Sequence, residues 1–213
     1  MNPEAKKTFR FLPASWIETA LGIADRWSRP LVRLHVSPNL LSSLGLLAGA
    51  AVGLSYAANR PALAAAFIIV CGIFDILDGK VASNAGRRSL FGAMVDSTLD
   101  RYSEFFIFMG LAYHFRRGWG LWLILLGFLG SSMVSYTRAR AEGLGIECQV
   151  GPMQRAERLV LLFVCTIGGI VLRALDPALL AAVAIIALVS NVTAVQRILY
   201  VRKIEKNRTP KEV

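Results

Sequence analysis

The stretch Phe74–Glu104 reads FDILDGKVASNAGRRSLFGAMVDSTLDRYSE and contains four aspartates at the ends of two apolar segments. Asp75 and Asp78 close the first segment, and Asp96 and Asp100 open the second. Carboxylates at membrane depth are costly, and they usually mark a functional site. Because crowded like charges cannot all remain ionised without a nearby cation, the four acids predict bound divalent metal and, with it, phosphate chemistry.

The spacing of the aspartates places each pair on one helix face. Asp75 and Asp78 are three residues apart, and Asp96 and Asp100 are four apart, which are the separations of neighbours on a helix surface. The stretch lacks His and Cys, so its oxygen ligands favour Mg²⁺ or Mn²⁺, in a site with room for two ions. The alternative is a set of interfacial carboxylates paired with the nearby arginines, which are Arg87, Arg88 and Arg101.

The composition predicts an all-α integral membrane protein. Hydrophobic residues make up 55% of the 213 residues and charged residues only 18%, so the charges must be segregated. The apolar stretches that approach spanning length are Leu40–Ala58, Pro61–Phe74, Trp119–Val134, Leu159–Leu172 and Ala178–Val195. Together with the segment after Asp96, they predict six transmembrane helices in one domain over residues 1–213.

The positions of the basic residues predict the orientation. The net charge is +10, and all but four of the 24 Lys and Arg residues fall in the N-terminal segment, the tail and alternate loops or helix ends. The exceptions are Arg60, Arg116, Arg117 and Arg173. This asymmetry predicts a multi-pass protein of the cytoplasmic membrane with both termini on the cytoplasmic side. A basic cytoplasmic tail, residues 204–213, would contact anionic lipid headgroups, and the absence of a recognition module argues against nucleic acid as a partner.

The segment before the first span has a different pattern. Residues 14–36 interleave apolar and charged side chains with helical spacing, which predicts an amphipathic helix in the membrane interface. Pro30 is expected to kink this helix or end it early. Ser37 and Pro38 suit the N-cap and the first position of the next helix. Glycines recur every four residues in that helix and predict close helix packing, at Gly45, Gly49 and Gly53.

A length argument places the two acidic pairs at one depth. Asp75 lies 14 residues inward from Pro61, or roughly 21 Å along a helix. Asp100 lies 13 residues inward from Tyr113, or roughly 20 Å. In a hydrocarbon layer about 30 Å thick, the acids of both helices therefore approach the cytoplasmic boundary and can meet there.

The pattern D-x2-D-G-x2-A-x9-G-x3-D-x3-D in this stretch resembles the signature of the CDP-alcohol phosphotransferases. These membrane enzymes transfer a phosphatidyl or related group from a CDP-linked lipid to an alcohol. The matching positions are Asp75, Asp78, Gly79, Ala82, Gly92, Asp96 and Asp100. The resemblance implies that the first three aspartates are metal ligands, and that Asp100 is both a ligand and the general base.

The resemblance also implies a site for CDP-diacylglycerol. Gly79, Ala82 and Gly92 would line its cytidine pocket, and Asn39 would either face the nucleotide or cap its own helix. Where the family usually has Arg after the alanine, this chain has Ser83, which by its position is expected to belong to the CDP-lipid site. The basic residues that could substitute are Lys80, Arg87 and Arg88, of which Arg87 is favoured.

The acceptor alcohol has to be inferred from outside the signature. Arginines at the cytoplasmic helix ends suit a phosphate-bearing acceptor, namely Arg138, Arg155, Arg158 and Arg197. This part of the chain resembles the phosphatidylinositol phosphate synthases of the family, in which a basic pocket holds inositol 1-phosphate. The alternative is that these side chains reach lipid headgroups.

The sequence therefore predicts transfer of a phosphatidyl group to inositol 1-phosphate, with release of CMP, by an enzyme that the resemblance implies to be a homodimer. Glycerol 3-phosphate is the alternative acceptor, because it also needs a phosphate pocket. A divalent-cation transporter is a more remote alternative, since the acids lie at one depth and leave the outer half of both helices apolar.

Overall fold

The computed structural model describes residues 14–86 and 89–207, and these residues form seven α-helices and no strand. The helices are α1 Ala14–Arg33, α2 Pro38–Ala57, α3 Pro61–Asn84, α4 Leu90–His114, α5 Gly120–Gly143, α6 Arg155–Val171 and α7 Leu175–Asn207. The all-α prediction is confirmed. Loops between the helices are short except for residues 144–154, which precede α6.

Within the part of the chain that the structure describes, four helices are long and apolar enough to cross a membrane: Pro38–Ala57, Pro61–Asn84, Gly120–Gly143 and Leu175–Lys206. The other two predicted spans are present as α4 and α6. However, α4 carries several charged side chains and α6 has only 17 residues. The count of six spans therefore remains a prediction.

Helix α2 packs against both α3 and α4, and small residues permit the contact with α4. A Cβ at Gly49 would lie 2.0 Å from Ser103 Oγ, and one at Gly53 would lie 2.1 Å from the Phe106 carbonyl oxygen. A Cβ at Gly110 would lie 2.0 Å from the Gly53 carbonyl oxygen. The predicted glycine-based packing is confirmed, and it fixes the position of the helix that carries Asp96 and Asp100.

The apolar core lies deeper in the bundle, where α5, α6 and α7 pack around the ends of α2 and α4. Among its fully buried side chains are Leu111, Ile124, Leu162, Leu179 and Ile186. A hydrogen bond of 2.7 Å between the Tyr56 and Thr166 hydroxyls joins α2 to α6 inside this core. Many apolar side chains on the outside of the bundle are exposed, as expected for helices surrounded by lipid.

Helix α1 packs against α3 through an apolar cluster that includes Ala24 and Val81. The side-chain amide of Asn84, at the end of α3, donates to Asp25 Oδ1 at 3.0 Å and to the buried Ser28 Oγ at 2.8 Å. The helix continues through Pro30 and ends at Arg33, so the prediction of a helix over residues 14–36 overestimated its length by three residues.

The beginning of α2 and the end of α7 refine two further predictions. Ser37 occupies the N-cap position, with Pro38 in the first turn, but its side chain makes no capping hydrogen bond. The last helix continues to Asn207, so residues 204–207 belong to the helix rather than to a tail. Residues 208–213 of the predicted tail lie outside the described residues.

Candidate functional site

A cavity of about 420 Å³ lies between α2, α3 and α4 at the end of the bundle where the acidic pairs lie. Its lining residues are Ser37, Pro38, Asn39, Ser42, Asp78, Gly79, Ala82, Ser89, Gly92, Ala93 and Asp96. Two of the four predicted metal ligands, one from each acidic helix, therefore line the same cavity. Small side chains form most of the remaining wall.

The two aspartates of this cavity differ in their hydrogen bonding. Asp78 is 4% exposed, and its Oδ2 accepts a 2.7 Å hydrogen bond from Ser42 Oγ on α2. Asp96 interacts with Asp78, yet its Oδ1 is buried and has no hydrogen-bond partner in the described chain. A buried carboxylate oxygen without a partner is costly, so Asp96 is suited to bind a cation.

The other two aspartates meet around an arginine of α6. The Arg155 guanidinium donates through Nη1 to Asp75 Oδ1 and to Asp100 Oδ1, and through Nη2 to Ser103 Oγ at 3.3 Å. Its second, weaker contact through Nη2 is to Cys71 Sγ at 3.7 Å. One cation thus connects α3, α4 and α6, and it links one acid from each predicted pair.

These residues fit a hard divalent cation by their chemistry. Within residues 14–86 and 89–207, no three carboxylate, thiol or imidazole groups converge as a ready coordination shell. Four carboxylates are nevertheless gathered at one end of two helices, Asp96 has an unpaired buried oxygen, and a positive charge is already held between Asp75 and Asp100. Carboxylate oxygens are the ligands that Mg²⁺ and Mn²⁺ prefer.

Four of the six residues predicted to bind the CDP-lipid line the cavity: Asn39, Gly79, Ala82 and Gly92. Ser37 occupies the N-cap position of α2, so the alternative role of Asn39 as the cap is wrong. Ser83 is exposed and does not line the cavity, so its contact with the CDP-lipid remains a prediction. Arg87 lies outside the described residues.

The four arginines predicted to bind the acceptor lie in different environments. Arg138 is half exposed and pairs with Glu142 at 2.8 Å. Arg197 is 3% exposed, and it donates to the carbonyl oxygens of Val150 and Val134.

Arg158 is 2% exposed and donates from Nε to Glu104 Oε1 at 2.7 Å. Arg197 lies within electrostatic range of Arg138 and Arg158, and Arg101 lies within range of Arg155 and Arg158. These interactions are repulsive, because all of the side chains are positively charged. Of the four predicted residues, Arg155 is the one whose guanidinium contacts the aspartates.

Sequence reasoning missed three residues with clear roles in the geometry. Ser42 lies one turn after Asn39 on the same face of α2 and donates to Asp78. Ser89 accepts from Gly92 N at 2.9 Å as the N-cap of α4, a role that its position before an apolar segment indicates. Glu104 lies one turn after Asp100 and is buried. The sequence could have revealed it, because a carboxylate at membrane depth usually marks a functional site.

The fold and the acidic site define a class of membrane enzyme, and comparison with known proteins identifies the family. Residues 35–195 match the model of the CDP-alcohol phosphatidyltransferase family. The chain is 36% identical over 185 residues to the archaetidylinositol phosphate synthase of Methanothermobacter thermautotrophicus, covering 81% of this chain and 91% of that protein. It is 33% identical over 202 residues to the phosphatidylinositol phosphate synthase of Cutibacterium acnes, covering 89% and 95%.

Solved structures agree with this assignment. The phosphatidylinositol phosphate synthase of Mycobacterium tuberculosis with CDP-DAG bound gives a TM-score of 0.75 at 30% identity, covering 84% of this chain and 93% of that one. A structure of that enzyme with manganese and citrate gives 0.75 at 28% identity, covering 84% and 88%. The chain belongs to the CDP-alcohol phosphatidyltransferase family. It is a transferase and a multi-pass membrane protein.

Proposed function

We propose that this protein transfers a phosphatidyl group from CDP-diacylglycerol to inositol 1-phosphate, giving phosphatidylinositol phosphate and CMP. The observation that carries this proposal is the position of Arg155, a cation held between Asp75 and Asp100 beside the α2–α4 cavity. An arginine at the carboxylate site suits an acceptor that itself bears a phosphate. Relatives named as synthases of inositol phosphate lipids support the same acceptor.

Asp75, Asp78, Asp96 and Asp100 are the residues proposed to hold two Mg²⁺ or Mn²⁺ ions. When bound, such ions polarise the diphosphate and offset the charge of the departing CMP. The related enzyme crystallised with manganese supports divalent metal here. The unpaired oxygen of Asp96 and the bond from Ser42 that orients Asp78 suit these two side chains to that role.

The cavity between α2, α3 and α4 is the proposed site of the CDP-lipid head group. Gly79, Ala82 and Gly92 leave room for the nucleotide against the helix backbones, and Asn39 contributes an amide that can bind the base or the ribose. The family usually has an arginine where this chain has Ser83, and we propose that Arg87 takes its role at the diphosphate. The related enzyme crystallised with CDP-DAG bound supports CDP-diacylglycerol as the donor.

The proposed reaction is an in-line displacement at the β-phosphorus. The acceptor hydroxyl oxygen forms a bond to this phosphorus, the bond from phosphorus to the CMP oxygen breaks, and CMP leaves with the electron pair. Asp100 takes the hydroxyl proton as general base. Arg155 lies within hydrogen-bond distance of Asp100, so an acceptor phosphate bound by Arg155 brings the neighbouring hydroxyl close to the base. Arg138 and Arg197 add positive charge to the same end of the bundle.

The proposed topology has six spans, with α4 and α6 completing the four apolar helices, and an interfacial α1. The reaction takes place at the cytoplasmic face, because the lipid and the polar acceptor must meet at a membrane boundary. Both termini lie on that side, in line with the distribution of basic residues. The family resemblance implies that the enzyme works as a homodimer. Cysteine labelling of either terminus in sealed, right-side-out vesicles tests the topology, and labelling by an impermeant reagent contradicts it.

The acceptor assay tests the proposed function directly. Purified protein in mixed micelles receives CDP-diacylglycerol with inositol 1-phosphate, inositol or glycerol 3-phosphate, and CMP release is measured with each. Release with inositol 1-phosphate that excess EDTA abolishes and Mn²⁺ restores is the expected result. Faster release with glycerol 3-phosphate overturns the acceptor assignment. Release that persists in EDTA overturns the metal assignment.

Asp100→Asn tests the assignment of the base. The variant should lose nearly all CMP release, because the amide cannot accept the proton. Binding of the CDP-lipid, measured by calorimetry, should persist. Turnover close to that of the unmodified protein would remove Asp100 from this role.

A further inference from the structure

Helices α4 and α6 are joined by two acid–arginine pairs in successive layers. In the first layer Asp100 accepts from Arg155, and in the second Glu104 accepts from Arg158. The acids are four residues apart on α4 and the arginines three apart on α6, so each set lies on one helix face. The first layer belongs to the site already described, and the second has no role in the proposed chemistry.

The second layer is fully buried and closely hydrogen bonded. Glu104 Oε1 accepts from Arg158 Nε at 2.7 Å and from Ser131 Oγ at 2.6 Å, and Oε2 accepts from Arg101 Nη1 at 3.2 Å. The side chains of Glu104 and Arg158 are 7% and 3% exposed. Arg101 also donates to Ser135, so the layer ties α4, α5 and α6 together.

This layer holds the part of α6 that carries Arg155. Arg155 is the first residue of α6 and follows the irregular segment 144–154, where no preceding helical turn can support it. Arg158 lies one turn further into the helix, and its Nη1 also donates to the Met153 carbonyl at 3.3 Å. A charge-assisted bond at Arg158 therefore fixes both the rotation of α6 and the loop before it.

We infer that Glu104 and Arg158 form a positioning pair that places the Arg155 guanidinium between Asp75 and Asp100. This inference rests on the proposed function, because Arg155 is the residue that it positions for the acceptor phosphate. It assigns Arg158 a role behind the acceptor site rather than contact with the acceptor. Removing Glu104 leaves the buried Arg158 charge without its acid, and removing Arg158 leaves Glu104 with Arg101 but without a bond to α6. Either change lets the first turn of α6 move.

Steady-state kinetics of Glu104→Gln and Arg158→Met test the inference. Each variant should raise the KM for the acceptor by roughly 10- to 100-fold, the range reported for misplaced or unsupported site groups. The KM for CDP-diacylglycerol should stay within about twofold, because its cavity lies on α2, α3 and α4. Arg158→Lys keeps the charge beside Glu104 but loses the second donor that reaches Met153, so it should recover only part of the acceptor affinity.

A double variant separates positioning from direct contact. If the two residues act as one unit, the combination Glu104→Gln with Arg158→Met should raise the acceptor KM no more than the more severe single variant. If Arg158 contacts the acceptor itself, Glu104→Gln should leave the acceptor KM unchanged or lower it, and this outcome overturns the inference. Equal increases in both KM values would also overturn it, because they indicate general damage to the fold.

Asp176→Asn is the matched control. It replaces the acid of another pair that joins α4 to a different helix, His114 with Asp176 at 2.9 Å. This pair lies at the opposite end of α4 from the aspartates. Both KM values should remain unchanged in this variant. A similar rise in the acceptor KM would show that the effect does not depend on the position of the Glu104–Arg158 pair.

A thiol provides a readout that does not depend on the reaction. Cys71 is fully buried and lies 3.7 Å from Arg155 Nη2. In a background with Cys148→Ala and Cys165→Ala, the labelling rate of Cys71 by methyl methanethiosulfonate reports the position of Arg155. Glu104→Gln and Arg158→Met should label faster, and Arg158→Lys should label at a rate between those of Arg158→Met and the unmodified protein. Unchanged labelling in both overturns the positioning role, whereas absence of CMP release in the unmodified protein contradicts only the proposed function.

Discussion

Gly53→Ala tests how strongly the α2–α4 contact controls the acidic site. A Cβ at Gly53 would lie 2.1 Å from the Phe106 carbonyl oxygen and 2.8 Å from its carbonyl carbon. Both contacts are to backbone, which cannot rotate away as a side chain can. On the opposite helix, Gly110 already lies against the Gly53 backbone, so the two helices can accommodate the methyl group only by moving apart.

The size of the effect follows from that distance. The 2.1 Å contact lies about 0.9 Å inside the 3.0 Å limit of real Cβ contacts, so α4 must shift by about that much. Overpacking of this kind costs about 1–3 kcal/mol, while replacing a helical glycine by alanine returns roughly 0.5–1 kcal/mol. A net loss of about 1 kcal/mol corresponds to a Tm lower by roughly 2–4 °C for a chain of this length. Because Asp96 and Asp100 move with α4, CMP release should fall by up to about 100-fold.

Thermal unfolding in detergent and the CMP-release assay together measure this effect. Gly168→Ala is the matched control, because it also places alanine in a helix but its Cβ would meet nothing within 4 Å. The control should keep its activity and unfold at the same or a slightly higher temperature. If Gly53→Ala behaves like Gly168→Ala in both assays, close packing of α2 on α4 does not control the site.

Ser42→Ala removes the 2.7 Å hydrogen bond to Asp78, and calorimetric titration should show Mn²⁺ binding weakened roughly tenfold. Gly151→Ala introduces a side chain where φ is +102°, and its Cβ would lie 2.3 Å from the Thr193 methyl carbon. We therefore expect the free energy of unfolding, measured by thermal unfolding, to fall by about 1–3 kcal/mol. The hydrogen bond from Asn84 lowers the pKa of Asp25 below 3.8. The depressed pKa makes this contribution to stability present above pH 3.8 and lost as the pH falls further. Asn84→Ala should therefore lower Tm at pH 7, and the difference from the unmodified protein should shrink below pH 3.8.

The sequence was sufficient to predict the helices and the aspartates. Apolar segments bounded by prolines gave the starts of α2 and α3 at Pro38 and Pro61, because proline is favoured in the first turn and breaks a helix further in. The aspartate spacing within each pair likewise depends only on local helix geometry. Sequence reasoning failed where it extended a helix to residue 36 and ended the last helix before residue 204, since end positions depend on the packing around them.

The roles of the arginines could not be predicted from the sequence. Arg138, Arg155, Arg158 and Arg197 all lie at helix ends near the acids, and as residue types they are equivalent. Only the fold shows that Arg155 reaches Asp75 and Asp100 while Arg158 and Arg197 are buried against Glu104 and backbone carbonyls. Ser83 gives a further case, because it directly follows Ala82 in the motif, yet the rotation of α3 leaves Ser83 exposed while Ala82 lines the cavity.

The amino-acid sequence alone thus determined the class of fold and the acidic motif, because helix formation, membrane burial and carboxylate spacing depend on residues close together in the chain. Tertiary structure decided which cation meets which acid. Asp75 and Asp100 are brought to Arg155 by three helices that are distant in sequence, and the approach of α2 to α4 is set by contacts between Gly53, Phe106 and Gly110. Such contacts depend on the packing of whole helices, and no local pattern in the chain specifies them.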